Sequence, residues 1–436
     1  MTDMIRKLGF LCLAAAGAGA VLQGCKLQLG DPMAIGSSMS PFERLPYVQA
    51  VDTASAYVVW LAAASAHDSV RYRERGLPDW RSAVVFRDSV MISGSNARLL
   101  TRRARLVGLS PGVEVEYEVW GDDRRVGPLV FRTAPRTSRP AAMDSIVVLA
   151  YGDSGWGSPA QVQLAALMEK ADWDLAVHVG DIAYYDGSDL DFTLRHFHIY
   201  QDLLARTPFF PAPGNHDLRA DGAGPYRRAF VWPDPTPGAL YYTYKWGDIQ
   251  FIVLDTTDES GAGAQLRNGT GPQIEWLQQT LAAADQDPSV RWLVTYMHHP
   301  LYSHATGFSG HGSDERLQAV VGPLLDRYGV DLVLAGHDHH YERSRPILSG
   351  SPVEPGCGPV YVLTGGGGGS QFARAVQRSK LTAATSTSYQ FVRLVVRRAV
   401  IEGFALDTEG AVIDRFAVRA YEGPGADDPR CGPIVP

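Results

Sequence analysis

Five apolar runs in this chain each stop at residues of the types that can bind metals. They are "DSIVVLAYGDSG", "LAVHVGDIAYY", "PFFPAPGNHD", "VRWLVTYMHHP" and "VDLVLAGHDHH". Their ends carry Asp153, Asp181, Asn215-His216-Asp217, His298-His299 and His337-Asp338-His339. Short runs rich in Val, Ile and Leu predict strands buried on both faces of a largely parallel sheet. Helical patterns fall between them, in "SPAQVQLAALMEKA", "DFTLRHFHIYQDLLA", "PQIEWLQQTLAAA" and "DERLQAVVGPLLDRY", which is the α/β alternation. Ligands bind such sheets beyond the C-terminal strand ends. One Gly-Asp at a strand end is common, but five ligand-bearing ends in order are hard to obtain by chance. Of 12 histidines, eight lie between 216 and 340. Carboxylate, amide and imidazole donors together suit borderline or hard ions such as Zn²⁺, Mn²⁺ or iron, not a thiolate site.

The upstream part has another rhythm. From Pro41 to Thr133, "AYVVW", "VRYRE", "AVVFRD", "RRARLVGLSPGVEVEYEVWGD" and "GPLVFRTAP" are β-branched or aromatic runs between turn residues, spaced as in a small β-sandwich. Its lone histidine, His67, has no clustered carboxylates beside it, so a spacer or docking role is expected there. "APRTSRPAAMD", rich in Pro, Ser, Thr and charge, marks a boundary.

At the N-terminus Arg6 and Lys7 precede an apolar run from Leu8 to Leu22 and the junction "LQGC". This predicts an export signal, too short for a membrane span. "LQGC" resembles a bacterial lipobox, which implies cleavage before Cys25 and a lipid anchor on it, in the bacterial cell envelope, periplasmic or at the surface. The segment after it has no periodicity and reads as a tether. Cys12 falls in the leader, leaving Cys357 and Cys431 as an even pair that an oxidising compartment would join in a disulfide. The 40 Lys plus Arg against 47 Asp plus Glu, net -7, give no basic excess for nucleic acid.

Taken together, "GDSG", "GDIAY", "GNHD", "TYMH" and "GHDHH" resemble the ordered motifs of the metallophosphoesterases (the calcineurin-like phosphoesterase superfamily), and specifically of purple acid phosphatases. The resemblance spans about 144 to 420. "LVGLSPGVEVEYEVW" resembles a fibronectin type III pattern, which matches that family's N-terminal domain. The fourth motif departs from the family's VxxH only by Thr295. The implied fold is an N-terminal all-β, fibronectin type III-like sandwich followed by an α/β four-layer αββα sandwich. The expected organisation is a leader at 1–24, a tether at 25–41, the β-domain at 42–135, a linker at 136–143, the catalytic domain at 144–420 and a tail at 421–436.

The resemblance also implies two metals, with Asp181 bridging. Metal one would take Asp153, Tyr184 and His339; metal two would take Asn215, His298 and His337. Two carboxylates and a phenolate suit Fe³⁺, and Asn with two imidazoles suits Zn²⁺, Mn²⁺ or Fe²⁺, a choice the residues leave open. The implied reaction is hydrolysis of phosphate monoesters by in-line attack of a metal-bound hydroxide. His216 would contact phosphate or protonate the leaving group, with Asp217 orienting it. His311 is favoured over His304 as a further substrate-side histidine, and "YER" (341–343) would line the pocket edge. His299 faces away from His298 on an extended strand and is expected to pack or support a ligand. His178, His196 and His198 read as structural, and "TGGGGGS" lacks the Gly-Lys-Ser/Thr ending of a nucleotide loop.

Tyr184 fills a gap. General metallophosphoesterases begin with Asp-x-His, whereas this chain has Gly155 at the histidine position. A phenolate from Tyr184 could supply the missing donor, and Tyr185 would then be packing. The alternatives are a phosphodiesterase or nucleotide phosphohydrolase on the same scaffold, and a non-catalytic surface binding protein.

Overall fold

The computed structural model describes residues 42–63, 68–91, 98–122, 124–136, 145–233, 238–305, 311–371 and 379–420. The leader, the tether, Cys25, His67 and Cys431 lie outside them. Eight antiparallel strands form the N-terminal unit. One sheet runs Phe42–Gln49, Ser55–Ala63, Arg98–Val107, Val85–Met91; the other runs Arg81–Ala83, Asp68–Glu74, Glu114–Gly121, Arg124–Arg132. Val58, Trp60 and Ala104 of the first share one core with Val70, Tyr117 and Val119 of the second, so the two sheets form a sandwich.

The α/β part has two mixed sheets. In the six-stranded one, Phe209–Pro211, Leu175–His178 and Ile146–Tyr151 are parallel, and Gln390–Val396, Ile401–Asp407 and Val412–Val418 continue antiparallel. The seven-stranded sheet has Ile249–Val253, Trp292–Tyr296, Leu332–Ala335 and Val360–Thr364 as its parallel centre. Side chains alternate along a strand, and here both faces are covered. Phe251, Val253, Val294, Tyr296, Leu332 and Leu334 enter the core shared with the other sheet. Ile252, Leu293 and Val333 meet Ile274, Leu277 and Leu281 of the helix Pro272–Asp285. The helix Pro159–Met168 buries Leu164, Ala165 and Met168 on the six-stranded sheet's side. The layers are helix, sheet, sheet, helix, and the parallel strands of both sheets direct their C-terminal ends to one seam.

Two expected helices are interrupted. "DFTLRHFHIYQDLLA" folds as a helix at Asp189–Phe192, a wider turn at Thr193–Phe197 and a helix at Gln201–Leu204. Arg44 of the sandwich reaches in here, donating to the Thr193 hydroxyl at 2.9 Å and the Asp189 carbonyl at 2.8 Å. These bonds add to the helical ones, since the Asp189 carbonyl still accepts from the Thr193 N–H and hydroxyl. "DERLQAVVGPLLDRY" divides into Glu315–Val320 and Gly322–Arg327, because Pro323 has no N–H for the preceding turn. Tyr47 and Tyr117 also tie the sandwich down, donating their hydroxyls to the carbonyls of Ala229 at 2.7 Å and Ala205 at 2.6 Å.

Candidate metal centre

The seam gathers all seven expected ligands. The Tyr184 hydroxyl lies 2.9 Å from His339 Nε2 and donates to Asp153 Oδ1 at 3.3 Å. On the other side His298 Nε2 lies 3.1 Å from Asn215 Oδ1, 3.3 Å from His337 Nδ1 and 3.4 Å from Asp181 Oδ2. Donor atoms of Asp153, Asp181 and His298 fall within 4.8 Å of one another. That places Asp181 between a group of two oxygens and one nitrogen and a group of one amide and two imidazoles.

Backbone bonds fix which nitrogen faces the seam. His339 Nδ1 bonds the Ser370 carbonyl at 2.7 Å, and His298 Nδ1 bonds that of Val179 at 2.9 Å. A carbonyl can only accept, so each ring keeps its proton there and turns Nε2 to the site. Asp153, Asp181 and His337 have φ of 55°, 56° and 71°, the left-handed region that costs a non-glycine residue free energy and clusters at functional sites.

The electrostatics are those of a cation site. Burial pushes the Asp153 carboxyl well above its ordinary range, and the neighbouring Asp181 charge adds to this. Burial acts on Asp181 in the same sense, but His298 and its hydrogen bond outweigh it and hold Asp181 well below. His298, against its own burial, is raised to about 10 by Asp181. Asp181 thus takes the one imidazolium, Asp153 is pushed toward keeping its proton for want of a cation, and the donor set fits ions that would take that proton's place.

Glycines give the site its close packing. A Cβ on Gly155 would meet the Ile182 carbonyl oxygen at 1.9 Å, so the turn carrying Tyr184 occupies the space a side chain would need. The Tyr184 N–H donates to the Gly155 carbonyl at 2.9 Å. In "TGGGGGS", Cβ atoms on Gly365, Gly367 and Gly369 would meet the Asp338 oxygen, the Gly152 oxygen and the His339 ring at 2.2, 2.2 and 2.6 Å. The run lets backbone approach the site.

A cavity of about 350 Å³ opens over the seam, lined by Asp181, Tyr184, Asn215, His337 and His339 with Trp156, Tyr185, His216, Arg219 and His311. His216 and His311 therefore face it. His304 is turned away, with Nδ1 2.5 Å from Glu342 Oε1. His299 bonds the Thr256 hydroxyl at 3.0 Å, and His178 bonds that of Ser154 at 2.9 Å.

Asp217 does not orient His216. Its Oδ1 accepts from the backbone N–H groups of Ile182 and Ala183 at 2.8 and 3.0 Å, and its Oδ2 from Gly214 at 2.9 Å. It pins the turn that carries Tyr184. His216 Nδ1 instead contacts the Tyr185 carbonyl at 2.7 Å and the Arg219 guanidinium at 2.9 Å. Arg219 sits three residues on, a helical neighbour by spacing. The residue that holds His311 is Asp338, at 2.7 Å, itself fixed by Ser303 and the Gly312 N–H. Alternation gave the available signal, since the residue between His337 and His339 must face elsewhere. Tyr185, expected to pack, is 51% exposed, whereas Tyr184 is 1% exposed.

Residues 146–341 match the calcineurin-like phosphoesterase family. Purple acid phosphatase 15 of Arabidopsis thaliana is 28% identical over 301 residues, 62% of this chain and 54% of its own. Acid phosphatase type 7 of Homo sapiens is 28% identical over 344 residues, 73% of this chain and 76% of its own. The chain thus spans little more than half the length of some curated relatives. The structure of a purple acid phosphatase from yellow lupin (Lupinus luteus) seeds superposes with a TM-score of 0.74 at 20% identity, over 86% of this chain and 74% of that one. Ordered strand ends, fold and relatives agree: residues 146–341 carry a calcineurin-like metallophosphoesterase domain, and the chain is similar in sequence and fold to purple acid phosphatases.

Proposed function

We propose that this protein hydrolyses phosphate monoesters at a two-metal centre. The observation that carries the reading is the convergence of seven donor side chains from five strand ends on one buried, carboxylate-rich seam. Asp153, Tyr184 and His339 would hold one ion, Asn215, His298 and His337 the other, with Asp181 shared. Such ions supply Lewis-acid polarisation of phosphoryl oxygens and an activated nucleophile. The Tyr184 phenolate favours Fe³⁺ in the first position, with Zn²⁺, Mn²⁺ or Fe²⁺ in the second.

The chain's own groups do the rest. His216 and His311 flank the cavity and would bond phosphoryl oxygens or carry a proton to the leaving oxygen. Asp338 keeps the His311 Nδ1 proton in place, which leaves Nε2 to act on substrate. Arg219 and the Tyr185 carbonyl set the ring of His216.

The test is metal analysis and a visible spectrum, with turnover of p-nitrophenyl phosphate against its bis-ester. The expected result is an iron-containing, coloured protein that prefers the monoester and loses colour on Tyr184→Phe. A colourless Zn or Mn protein, fully active as Tyr184→Phe, would overturn the ligand assignment. Preference for the bis-ester would move the reading to a phosphodiesterase. The lipid anchor on Cys25, the envelope location, the domain limits and the Cys357–Cys431 pairing are proposed on the sequence alone.

A further inference from the structure

We infer that the rim of this cavity binds a flat aromatic group carried by the phosphate ester, an aryl ring or a nucleobase, on a platform made by Trp156 and Tyr185. The inference rests on the phosphatase reading for where the phosphoryl group lies.

Tyr185 is one of a few large apolar side chains exposed among the described residues, and it stands in the lining of the candidate site. Its ring adds little to the core, yet it is held. Trp156, half-buried, meets it edge to face with ring centres 4.7 Å apart, and also meets Tyr184 at 5.0 Å. The Arg195 guanidinium lies 5.6 Å from the Tyr185 ring centre and is itself bonded to the Tyr184 carbonyl. The Tyr185 carbonyl is engaged by His216 and Arg219. An aromatic pair fixed in this way, with one ring half in solvent, has little rotamer entropy left to lose on binding. Rings of this kind gain from offset or edge contact with another π system beyond the area they bury.

The same cavity orders the two ends of a ligand. Asp181, Asn215, His337 and His339 form the metal side, and Trp156 and Tyr185 form the wall beside it. Arg219 and the two histidines supply donors for an anionic head group. About 350 Å³ is at the small end for ligand sites, enough for a phosphoryl group and a ring close to it. A saturated group of equal size fills the same space without the ring contact, so flatness, not bulk, is what this wall selects.

The experiment measures binding, by calorimetry, of benzylphosphonate and cyclohexylmethylphosphonate to the metal-loaded protein. The phosphonate analogues of AMP and ribose 5-phosphate form a second pair. Methylphosphonate, which has no ring, reports in every variant whether the phosphoryl end still binds. The expected result is tighter binding of the benzyl compound, with the ratio falling about 2- to 10-fold in Trp156→Ala and in Tyr185→Ala and kept in Tyr185→Phe. Discrimination in the first pair identifies an aryl ring, and in the second a nucleobase. Equal binding within both pairs, or ratios unmoved by both alanine variants, overturns the inference. A protein that shows the ratio but hydrolyses no ester would remove the phosphatase reading and leave the aromatic site standing.

Discussion

In the sandwich, the Asp68 side chain is fully buried between two guanidiniums, Arg102 at 2.7 Å and Arg87 at 2.9 Å. Arg102 spends its remaining donors on the carbonyls of Ala62, Ala63 and Leu100. At the strand ends of the α/β part, Asp153 and Asp181 are just as buried, yet they have one imidazolium, His298, between them. In the first cluster the carboxylate charge meets its cations within the chain, both at Oδ2. In the second, Asp181 takes the imidazolium and Asp153 has no cation of its own, so burial pushes its carboxyl well above the ordinary range unless an outside cation completes the site. The difference separates a structural buried charge from a functional one without reference to any relative.

Mutations can break that comparison. The largest effect should come from Asp181→Asn, which removes the shared carboxylate. Groups that merely support metal ligands are worth about 10- to 100-fold in affinity or activity, so a loss of at least about 100-fold is expected here. The metal-free variant should also melt below the metal-free parent, because His298 holds the Asp181 carboxyl well below its ordinary range and a group so held stabilises the fold in its charged form. An oxygen able to accept from the His216 N–H, now at 3.0 Å, is kept. Metal content and thermal melting check this, and a metal-free variant that melts higher than the parent would contradict it.

Arg102→Met should behave in the opposite way. It leaves Asp68 buried with one partner fewer and is expected to cost about 3 kcal/mol of stability, read from the melting of the whole protein. Metal content and the proposed phosphoester hydrolysis of the surviving folded fraction should stay close to those of the parent. A cost below about 1 kcal/mol would show that Arg87 alone compensates the carboxylate.

The smallest effect tests the border between the two behaviours. Glu342 is buried beside the site but has its own partners, His304, His340 and Thr382. Burial pushes its carboxyl up, but the hydrogen bonds from His304 and His340 outweigh that and bring it to about 2. A carboxyl lower in the folded than in the unfolded chain adds stability above its unfolded value, near 4.5, and loses it as pH falls through about 2. Glu342→Gln should therefore cost about 1–3 kcal/mol near pH 6, with the gap to the parent closing between about pH 4.5 and 2. Melting temperatures across that range check the sign; a gap that widens in acid would refute it.

Much of this was legible in order and spacing. The strand ends in "GDSG", "GDIAY", "GNHD", "TYMHH" and "GHDHH" were readable because parallel strands buried on both faces must be apolar, which makes their polar ends conspicuous. The sandwich was readable from its short β-branched runs. Less legible were partnerships between segments far apart in sequence. Asp217 stands beside His216 yet bonds a turn some 35 residues earlier, and His311 is held by Asp338, 27 residues later. Arg44 bonds a helical turn 145 residues away, which no local propensity could reveal.

The sequence by itself determined which residues could bind metal and that they would stand at the C-terminal ends of buried strands, since side-chain alternation and strand burial are local and repetitive. That these ends belong to two sheets meeting at a seam was decided by the tertiary structure. Only the tertiary structure decided what each neighbour does. Gly155 leaves room for the turn that brings Tyr184 inward, at 1% exposure, while Tyr185 stays at 51% in the cavity wall. Two adjacent tyrosines acquire different surroundings because close packing distinguishes positions that composition and period leave equivalent.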